Sequence, residues 1–258
     1  MSNCYKNFPV KINYSSGPPD VIYGNSTSLS ENIALEHADS IGVKGSNAVF
    51  NNSIPKGDLS VDSYLIDDLS IFNNLKGSND QLITIDFGPY RCPAPCILSS
   101  MSINIAIGEP LTVQRSFNYF GSVTSTTSPT PIITGLQPVI PENIGLSGFD
   151  QLGDTANITS INWQFSQNYN EHYLLGELTP YITFGRGEIS IDIDGEGMSN
   201  PLVSEACVVP PKDYGITVSG CGGEDLGTLL VNGYMQNRSS AVSSESNEEN
   251  SVSIIQYL

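Results

Sequence analysis

The stretch from Asp192 to Glu196 holds three carboxylates in five residues, and clusters of oxygen ligands of this kind can bind calcium. Its spacing does not fit an EF-hand loop, which also needs a bidentate glutamate. Ile189, Ile191 and Ile193 alternate with polar residues through the same stretch, which predicts a strand with one buried face. We therefore interpret the carboxylates as the solvent-facing side of a strand that ends in an Asp-Gly turn.

Residues that usually carry catalysis are scarce in this chain. Its two histidines, His37 and His172, have no neighbouring cysteine or histidine, so neither a zinc cluster nor a catalytic triad is indicated. The glycine-rich stretches 184–187 and 219–223 are not followed by a helical pattern, which a phosphate site at a helix N-terminus would need. We expect a protein that is not an enzyme and that binds no cofactor and no metal.

The cysteines number five, Cys4, Cys92, Cys96, Cys207 and Cys221, so they cannot all pair within one chain. Cys92 and Cys96 are separated by Pro-Ala-Pro rather than by the two residues of a CxxC motif. We expect reduced structural thiols in a protein made in a cytoplasm, and a zinc site or a late disulfide is the alternative.

The charge balance limits the partners of this protein. Its 27 acidic residues outnumber 10 basic ones, for a net charge of −17. A surface of this sign repels phosphate, so specific binding of nucleic acid is not expected. The repulsion would help DNA to pass without sticking, and solubility is an equally good explanation. No apolar run long enough to span a membrane occurs, and no membrane contact is expected.

A long β-hairpin is the clearest pattern in the sequence. Apolar and small polar residues alternate from Met101 to Ile107, the segment Gly108–Pro110 predicts a turn, and alternation resumes from Val113 to Tyr119. A similar pattern closes the chain, with a turn at 247–250 before the last strand. When the two hairpins are compared, Asn-Tyr-Phe after Phe117 matches Gln-Tyr-Leu after Ile255. The repeat indicates that the hairpin is duplicated together with its domain.

Composition shifts divide the chain into four segments. Residues 1–32 are polar and rich in turn formers, and predict an N-terminal arm. A first β module is predicted over 33–121, a Ser/Thr/Pro-rich linker over 122–142, and a second β module over 143–258.

The first module also contains the best helical pattern. Four apolar residues recur at spacings of four, three and three, and Gly77 follows them as a candidate C-cap. These residues are Leu65, Leu69, Phe72 and Leu75. With 24 glycines, 16 prolines and only 10 basic residues, the rest of the chain is typical of a mainly β protein.

Two segments of the chain resemble the major tail proteins of bacteriophages, which are also called tail tube proteins. The first segment runs from Leu59 to Gly121, and the resemblance rests in particular on ITIDFGPY at Ile83–Tyr90 and on the hairpin CILSSMSINIAIGEPLTVQRSFNYFG at Cys96–Gly121. The stretch from Ile161 to Ile193, followed by the C-terminal hairpin, repeats the scheme with weaker identity. The resemblance covers most of the chain and consists of patterns of residue type.

The resemblance implies two tandem tail-tube-like modules, each a β-sandwich or barrel with long hairpins, and a short helix. Hairpins of neighbouring subunits would continue one sheet around a ring, and rings would stack into a hollow tube that carries the genome. Such an assembly makes use of long exposed strand edges, which are a hazard in a monomer.

Under this resemblance the polar parity of the hairpins is expected to line the lumen of the tube. The candidate lumen residues are Ser102, Asn104, Gln114, Ser116, Asn118, Ser243, Ser244 and Glu245. The candidate residues for ring stacking are Leu65, Leu69, Phe72 and Leu75, together with the N-terminal arm.

The partners implied by the resemblance are further copies of the chain, in hexameric or pseudo-hexameric trimeric rings, and other tail components. The latter comprise the baseplate or tip, the terminator, the tape measure protein and, in a contractile tail, the sheath; DNA would be present only in passage. The expected location is the virion tail, assembled in the host cytoplasm. The alternatives are another tail, baseplate or capsid-decoration protein that forms a single ring, a carbohydrate-binding β-sandwich and, last, an enzyme.

Overall fold

The structure is a computed structural model of the 258-residue chain. It describes residues 8–15, 17–32, 35–38, 48–51, 55–65, 69–75, 83–129, 138–149, 158–175, 179–196, 210–241 and 249–258. Ser243, Ser244 and Glu245, three of the candidate lumen residues, lie outside the described residues.

Strands dominate the described residues, and every strand pairing is antiparallel, which confirms the prediction of a mainly β fold. The strands of the first half are β1 Phe8–Asn13, β2 Asp20–Gly24, β3 Ser26–Asn32, β4 Leu35–Ala38, β5 Ala48–Asn51, β6 Lys56–Tyr64, β7 Ile83–Phe87, β8 Tyr90–Ala106, β9 Thr112–Phe120 and β10 Thr124–Ser125. Those of the second half are β11 Ile144–Ser147, β12 Ile158–His172, β13 Tyr181–Glu196, β14 Lys212–Ser219, β15 Asp225–Ala241 and β16 Glu249–Tyr257. The described residues also contain one helix, α1 Ser70–Leu75, and a 3-10 turn at Pro141–Asn143. Fourteen strands form one sheet, and β4 and β5 form a separate pair.

Both hairpins expected from the alternating pattern are present. β8 pairs with β9, and Gly108 adopts a φ of 79° in the turn between them, a value that favours glycine. β15 pairs with β16 in the same way. Each hairpin contains a β-bulge, between Leu98 and Ser100 in β8 and between Met235 and Asn237 in β15.

The bulges show how the two hairpins correspond. Leu98 before the first bulge pairs with Phe117, and Met235 before the second pairs with Ile254. Phe117 therefore corresponds to Ile254. The similarity of the tripeptides in the sequence instead matches Phe117 with Ile255, one residue further along. Side chains of a strand alternate between the two faces of the sheet. The match expected from the sequence would therefore place every residue of the last strand on the face opposite to the one that it occupies in the structure.

The same strand order occurs in both halves of the chain. In the first half the order across the sheet is β1-β7-β8-β9-β6-β3, and in the second half it is β11-β14-β15-β16-β13-β12. β8 and β15 each contain 17 residues, and β9 and β16 each contain 9. This correspondence supports a duplication, while the boundaries of the two modules stay a prediction.

A backbone ladder joins the two halves into one sheet. The N-terminal part of β8 pairs with β7, and its C-terminal part, Ser100–Ala106, pairs on the same edge with Ser160–Ser166 of β12. β9 occupies the opposite edge of β8. The buried apolar residues of both halves form one continuous cluster.

The described residues of the N-terminal segment, 8–15 and 17–32, are part of this fold, which corrects the prediction of an arm there. β1 pairs with both β2 and β7, and β3 pairs with β6. Val10, Ile12 and Ile22 are fully buried in the core. The turn residues between these short strands hide their alternation in the sequence. Within the described part of the linker, Val139 is buried and its amide donates a hydrogen bond to the carbonyl of Leu65, 3.0 Å away.

Helix α1 closes the core between the halves. Phe72 packs edge-on against Trp163 and Phe165 of β12, with ring centroids 5.0 Å apart in each case. Leu69 donates its amide to the carbonyl of Leu226 in β15. A first-half segment thus covers the apolar face of second-half strands, which makes the two halves one packing unit.

An ion pair at the side of the first half joins a buried carboxylate, Asp86, to Arg91, whose side chain is 44 % exposed. Arg91 Nε lies 2.5 Å from Asp86 Oδ1, and Asn13 Nδ2 donates to Asp86 Oδ2 at 3.1 Å. Burial acts to raise the pKa of Asp86, but these hydrogen bonds and the Arg91 charge outweigh it and hold the pKa below its usual value. The network ties β1 to β7 and β8.

Replacing Phe72 with alanine is expected to lower the free energy of unfolding by about 3–5 kcal/mol, since it removes a buried aromatic ring between the halves. Urea denaturation followed by Trp163 fluorescence measures this loss. The control is Ile107→Ala, because Ile107 is 67 % exposed and should change stability by no more than about 0.5 kcal/mol. Equal effects of the two substitutions would contradict the role assigned to α1.

Candidate functional site

One face of the large sheet is polar across seven strands from both halves. Strand registers place residues of alternating parity side by side in rows that run across the sheet. One row is Ser26, Asp62, Gln114, Ser102, Gln164 and Ser190; the next is Ser28, Ser60, Ser116, Ser100, Ser166 and Glu188; a third is Thr112, Asn104, Asn162, Asp192 and Ser253. We call this surface the polar face. It arises because the opposite parity of every strand except β3 is buried in the core.

The polar face carries acidic groups from both halves. Asp58 and Asp62 lie on β6, and Glu188, Asp192 and Asp194 lie on β13. Two basic residues share this parity at one end of the face. Lys56 is bound to Glu171, with Nζ 3.2 Å from Oε1, and the Arg186 guanidinium stacks 3.8 Å above the Tyr257 ring. The central part of the face is therefore negative.

Neighbouring hydroxyl and amide groups hold these carboxylates in place. Ser26 Oγ donates to Asp62 at 2.9 Å, and Ser160 Oγ donates to Asp194 at 2.8 Å. Asn118 Nδ2 donates to Asp58, and Ser253 Oγ donates to Asp192. Each bond links adjacent strands, so the face is both ordered and decorated with acceptors. Anions approaching it meet carboxylates and hydroxyls rather than fixed cations.

The candidate lumen residues that the structure describes all lie on the polar face. Ser102 of β8 pairs with Gln114 of β9, and Asn104, Ser116 and Asn118 lie on the same parity of these two strands. The sequence did not identify the contributions of β6, β12 and β13 to the same face. Their alternation is visible in the sequence, but their position beside the hairpin follows from long-range strand pairing.

The four apolar residues predicted to mediate ring stacking are buried. Leu65, Leu69, Phe72 and Leu75 have exposed fractions of 0 to 5 % and belong to the core cluster. This corrects their assignment: side chains that fill the core cannot form a contact surface. The helical periodicity is satisfied within the chain, by packing on β12.

Exposed apolar residues lie instead at the tip of the β12–β13 hairpin. Tyr173, Leu174, Leu175 and Tyr181 are 48, 59, 106 and 66 % exposed. This hairpin extends beyond the rows of the polar face, and in chain order the β4–β5 pair lies between β3 and β6, the strands that correspond to β12 and β13. A cluster of large exposed apolar side chains is typical of a protein contact.

Other groups that could carry chemistry have ordinary environments. His172 Nε2 lies 2.8 Å from Thr183 Oγ1 on the surface, and the side chain of His37 is not described. Cys92 and Cys96 are buried free thiols; burial, with the charges of Asp86 and Glu31, raises the pKa of Cys92 to about 12. A thiol with this pKa is a poor nucleophile and a poor metal ligand at neutral pH.

The remaining cysteines and the acidic stretch add no ligand site. Cys221 is exposed, and Cys4 and Cys207 lie outside the described residues. Asp192 and Asp194 face solvent on β13, as the sequence predicts, although the strand continues to Glu196 without a turn at Gly195. No group of three or more His, Cys, Asp or Glu side chains in the described part of the chain is arranged to hold a metal ion. Within the same residues, no helix has the length and apolar character needed to cross a bilayer.

The fold and the polar face define an antiparallel, mainly β protein with one acidic sheet face and a packed apolar core. Comparison with protein-family models finds no match, and comparison with curated protein sequences finds no match either.

Proposed function

We propose that this chain is a structural virion protein whose copies assemble into stacked rings and form the tube of a phage tail, a hollow conduit for DNA. The observation that supports this proposal most directly is the polar face. Both halves contribute to it, and it lies on one side of a single sheet, so a ring of such sheets would enclose a lumen lined by hydroxyl, amide and carboxylate groups. A duplication of the module would explain why equivalent strands of both halves share this face.

The chemistry of the polar face suits the passage of DNA without binding. Proteins that hold DNA use lysine and arginine to neutralise phosphates and release counterions. The centre of the polar face has carboxylates in these positions, including Asp62 and Asp194, and would repel the backbone. Repulsion acts over about 8 Å at physiological salt, so it prevents close contact and leaves the lumen as a whole passable.

Open strand edges supply a means of assembly. A sheet that ends in unpaired backbone groups can add a strand from another copy. Lateral contacts of this kind close into rings when the rotation allows it, whereas a head-to-tail contact between rings does not close and produces a filament. The hairpin tip around Leu174 and Leu175 projects apolar surface that such a stacking contact would bury.

The second candidate function is that of a baseplate or capsid-surface protein, which forms a single closed ring. It would use the same sheet edges, but it would have no need for a contact that repeats along an axis. The exposed apolar tip therefore favours the tube. In either case the partners are further copies of this chain and other virion components, and DNA is present only in passage.

The purified protein is expected to form hollow tubes or stacked rings when it is concentrated, because lateral and axial contacts are both available. Negative-stain electron microscopy detects them, and mass determination of the dilute fraction gives the number of copies in a ring. Single closed rings at every concentration would support the second candidate. A protein that remains monomeric throughout would contradict both.

Replacing Leu174 and Leu175 together with serine is expected to leave rings intact and to prevent their stacking into tubes. Both side chains are exposed in the single chain, so folding should be unaffected. The proportion of tubes to rings in electron micrographs measures the effect. Leu230→Ser, at an exposed leucine on β15, is the matched control and should form tubes normally. Normal tubes from the double variant would exclude the tip as the stacking contact.

Replacing Asp62 and Asp194 with lysine places a cation on the polar face in each half, and is expected to make tubes retain DNA. Co-sedimentation of assembled tubes with a short fluorescent duplex at low salt should show about tenfold more bound DNA than the unaltered tubes, and added salt should reverse the binding. Glu109→Lys with Glu142→Lys changes the net charge equally at exposed positions outside the strands of the polar face. Equal retention by this control would contradict the assignment of the polar face to the lumen.

A further inference from the structure

The junction between the two halves has a counterpart that is incomplete among the described residues of the single chain. β12 pairs with β13 on one edge, with Ser160 opposite Asp194 and Ser166 opposite Glu188. β3 pairs with β6 in the equivalent way, with Ser26 opposite Asp62 and Asn32 opposite Lys56. The registers of β6 with β9 and of β13 with β16 complete the equivalence, so Ser26–Asn32 corresponds to residues 160–166.

The second edge distinguishes these two strands. β12 uses it to pair with Ser100–Ala106 of β8. Among the described residues, no strand pairs with the second edge of β3. The strand equivalent to β8 is β15, where β14 pairs on one edge as far as Gly233 and β16 occupies the other edge. Beyond Gly233, the edge that β14 leaves has no partner strand within the described part of the chain, along residues 237–241.

The side chains of β3 on the side opposite to the polar face are at least partly exposed, whereas the equivalent side chains of β12 are buried. Trp163 of β12 is 1 % exposed because β12 lies between β8 and β13 and is covered by α1. Leu29, its equivalent in β3, is 38 % exposed. Thr27 and Glu31 share the parity of Leu29 and are also not buried. An edge strand that exposes both its backbone and an apolar side chain on the side opposite to the polar face is suited to a partner that covers both.

We propose that β3 of one copy adds to the free edge of β15 in the next copy, and so repeats between chains the junction that β12 and β8 make within one chain. The inference rests on the proposed function only in requiring that copies assemble. A second copy is the occupant because the chain already shows the complete form of this contact between its own equivalent strands. The pairing is head-to-tail, and it closes into a ring through alternating internal and external junctions of the same kind.

The internal junction also supplies the register of the external one. Within the chain Gln164 lies opposite Ser102, and Phe165 lies opposite Met101. Their equivalents place Ser30 opposite Ser239 of the next copy, and Glu31 opposite Arg238. The register thus brings together an acidic and a basic residue. Opposite charges at directly facing positions stabilise a strand pair, and like charges destabilise it, so this pair favours the proposed register over shifted ones.

Disulfide trapping tests the register. Two variants of the full chain, Ser30→Cys and Ser239→Cys, are assembled as a mixture and oxidised, with the native cysteines retained. Directly opposite residues in an antiparallel pair lie about 4.5–5.5 Å apart at Cα, within the range that a disulfide spans. We expect a cross-linked dimer about tenfold more abundant than in either variant assembled alone. Mixing Ser26→Cys with Ser239→Cys is the control, since a shift of four residues, about 13 Å, prevents the bond.

The outcomes separate this inference from the proposed function. Cross-linking of the direct pair alone supports the proposal. Tubes or rings that form without this cross-link, or that cross-link the shifted pair instead, overturn the proposed junction and leave the proposed function standing. Monomers that neither assemble nor cross-link overturn both.

Charge reversal gives an independent measurement. Glu31→Lys should raise the protein concentration needed for assembly about tenfold, because it faces Arg238 with a like charge. The combined variant Glu31→Lys with Arg238→Glu should return this concentration to within about threefold of the unaltered value. Glu142→Lys, at an exposed residue outside both strands, should have no effect. Failure of the combined variant to recover assembly, when it folds normally by circular dichroism, would contradict the pairing of these residues.

Discussion

The pairing of β12 with β8 is the constraint on which the rest of the structure depends. It joins two halves with the same strand order into one sheet, and its register brings the polar parity of both halves to the same side. A shift of one residue in this ladder would turn the apolar parity of β12 toward solvent and its polar parity toward the core. The continuous polar face and the continuous core are therefore two results of one set of backbone hydrogen bonds.

Packing on the apolar side maintains that ladder. Phe72 reaches from the first half onto Trp163 and Phe165 of the second half, and Leu69 bonds to the backbone of β15. The core is filled from within the chain, and among the described residues the polar face and the second edges of β3 and of residues 237–241 have no partner strand, so they can meet other molecules. The proposed tube uses each of them: the polar face for the lumen, the free edges for lateral contacts and the apolar hairpin tip for stacking.

Features that depend on neighbouring residues were predicted correctly from the sequence. Features that depend on residues far apart in the chain were not. The hairpins β8–β9 and β15–β16, the solvent-facing carboxylates of β13 and the polar positions around Ser102 and Gln114 follow from alternation, which neighbouring residues display directly. The residues of β1 to β3 were predicted as an arm because each strand is short and separated by turn formers. Their apolar residues become recognisable as core only when β7 and β6 lie beside them.

By itself the sequence determined the mainly β class, the two long hairpins and the side of each strand that is polar, because a strand has a period of two residues that is written into consecutive positions. Only the tertiary structure decided which strands are neighbours. It placed the polar parities of β6, β9, β8, β12 and β13 in common rows, and it buried the stripe from Leu65 to Leu75, which as an isolated pattern fits an exposed contact equally well. Strand partners are set by hydrogen bonds and packing between residues far apart in the chain, and periodicity within a strand contains no record of them.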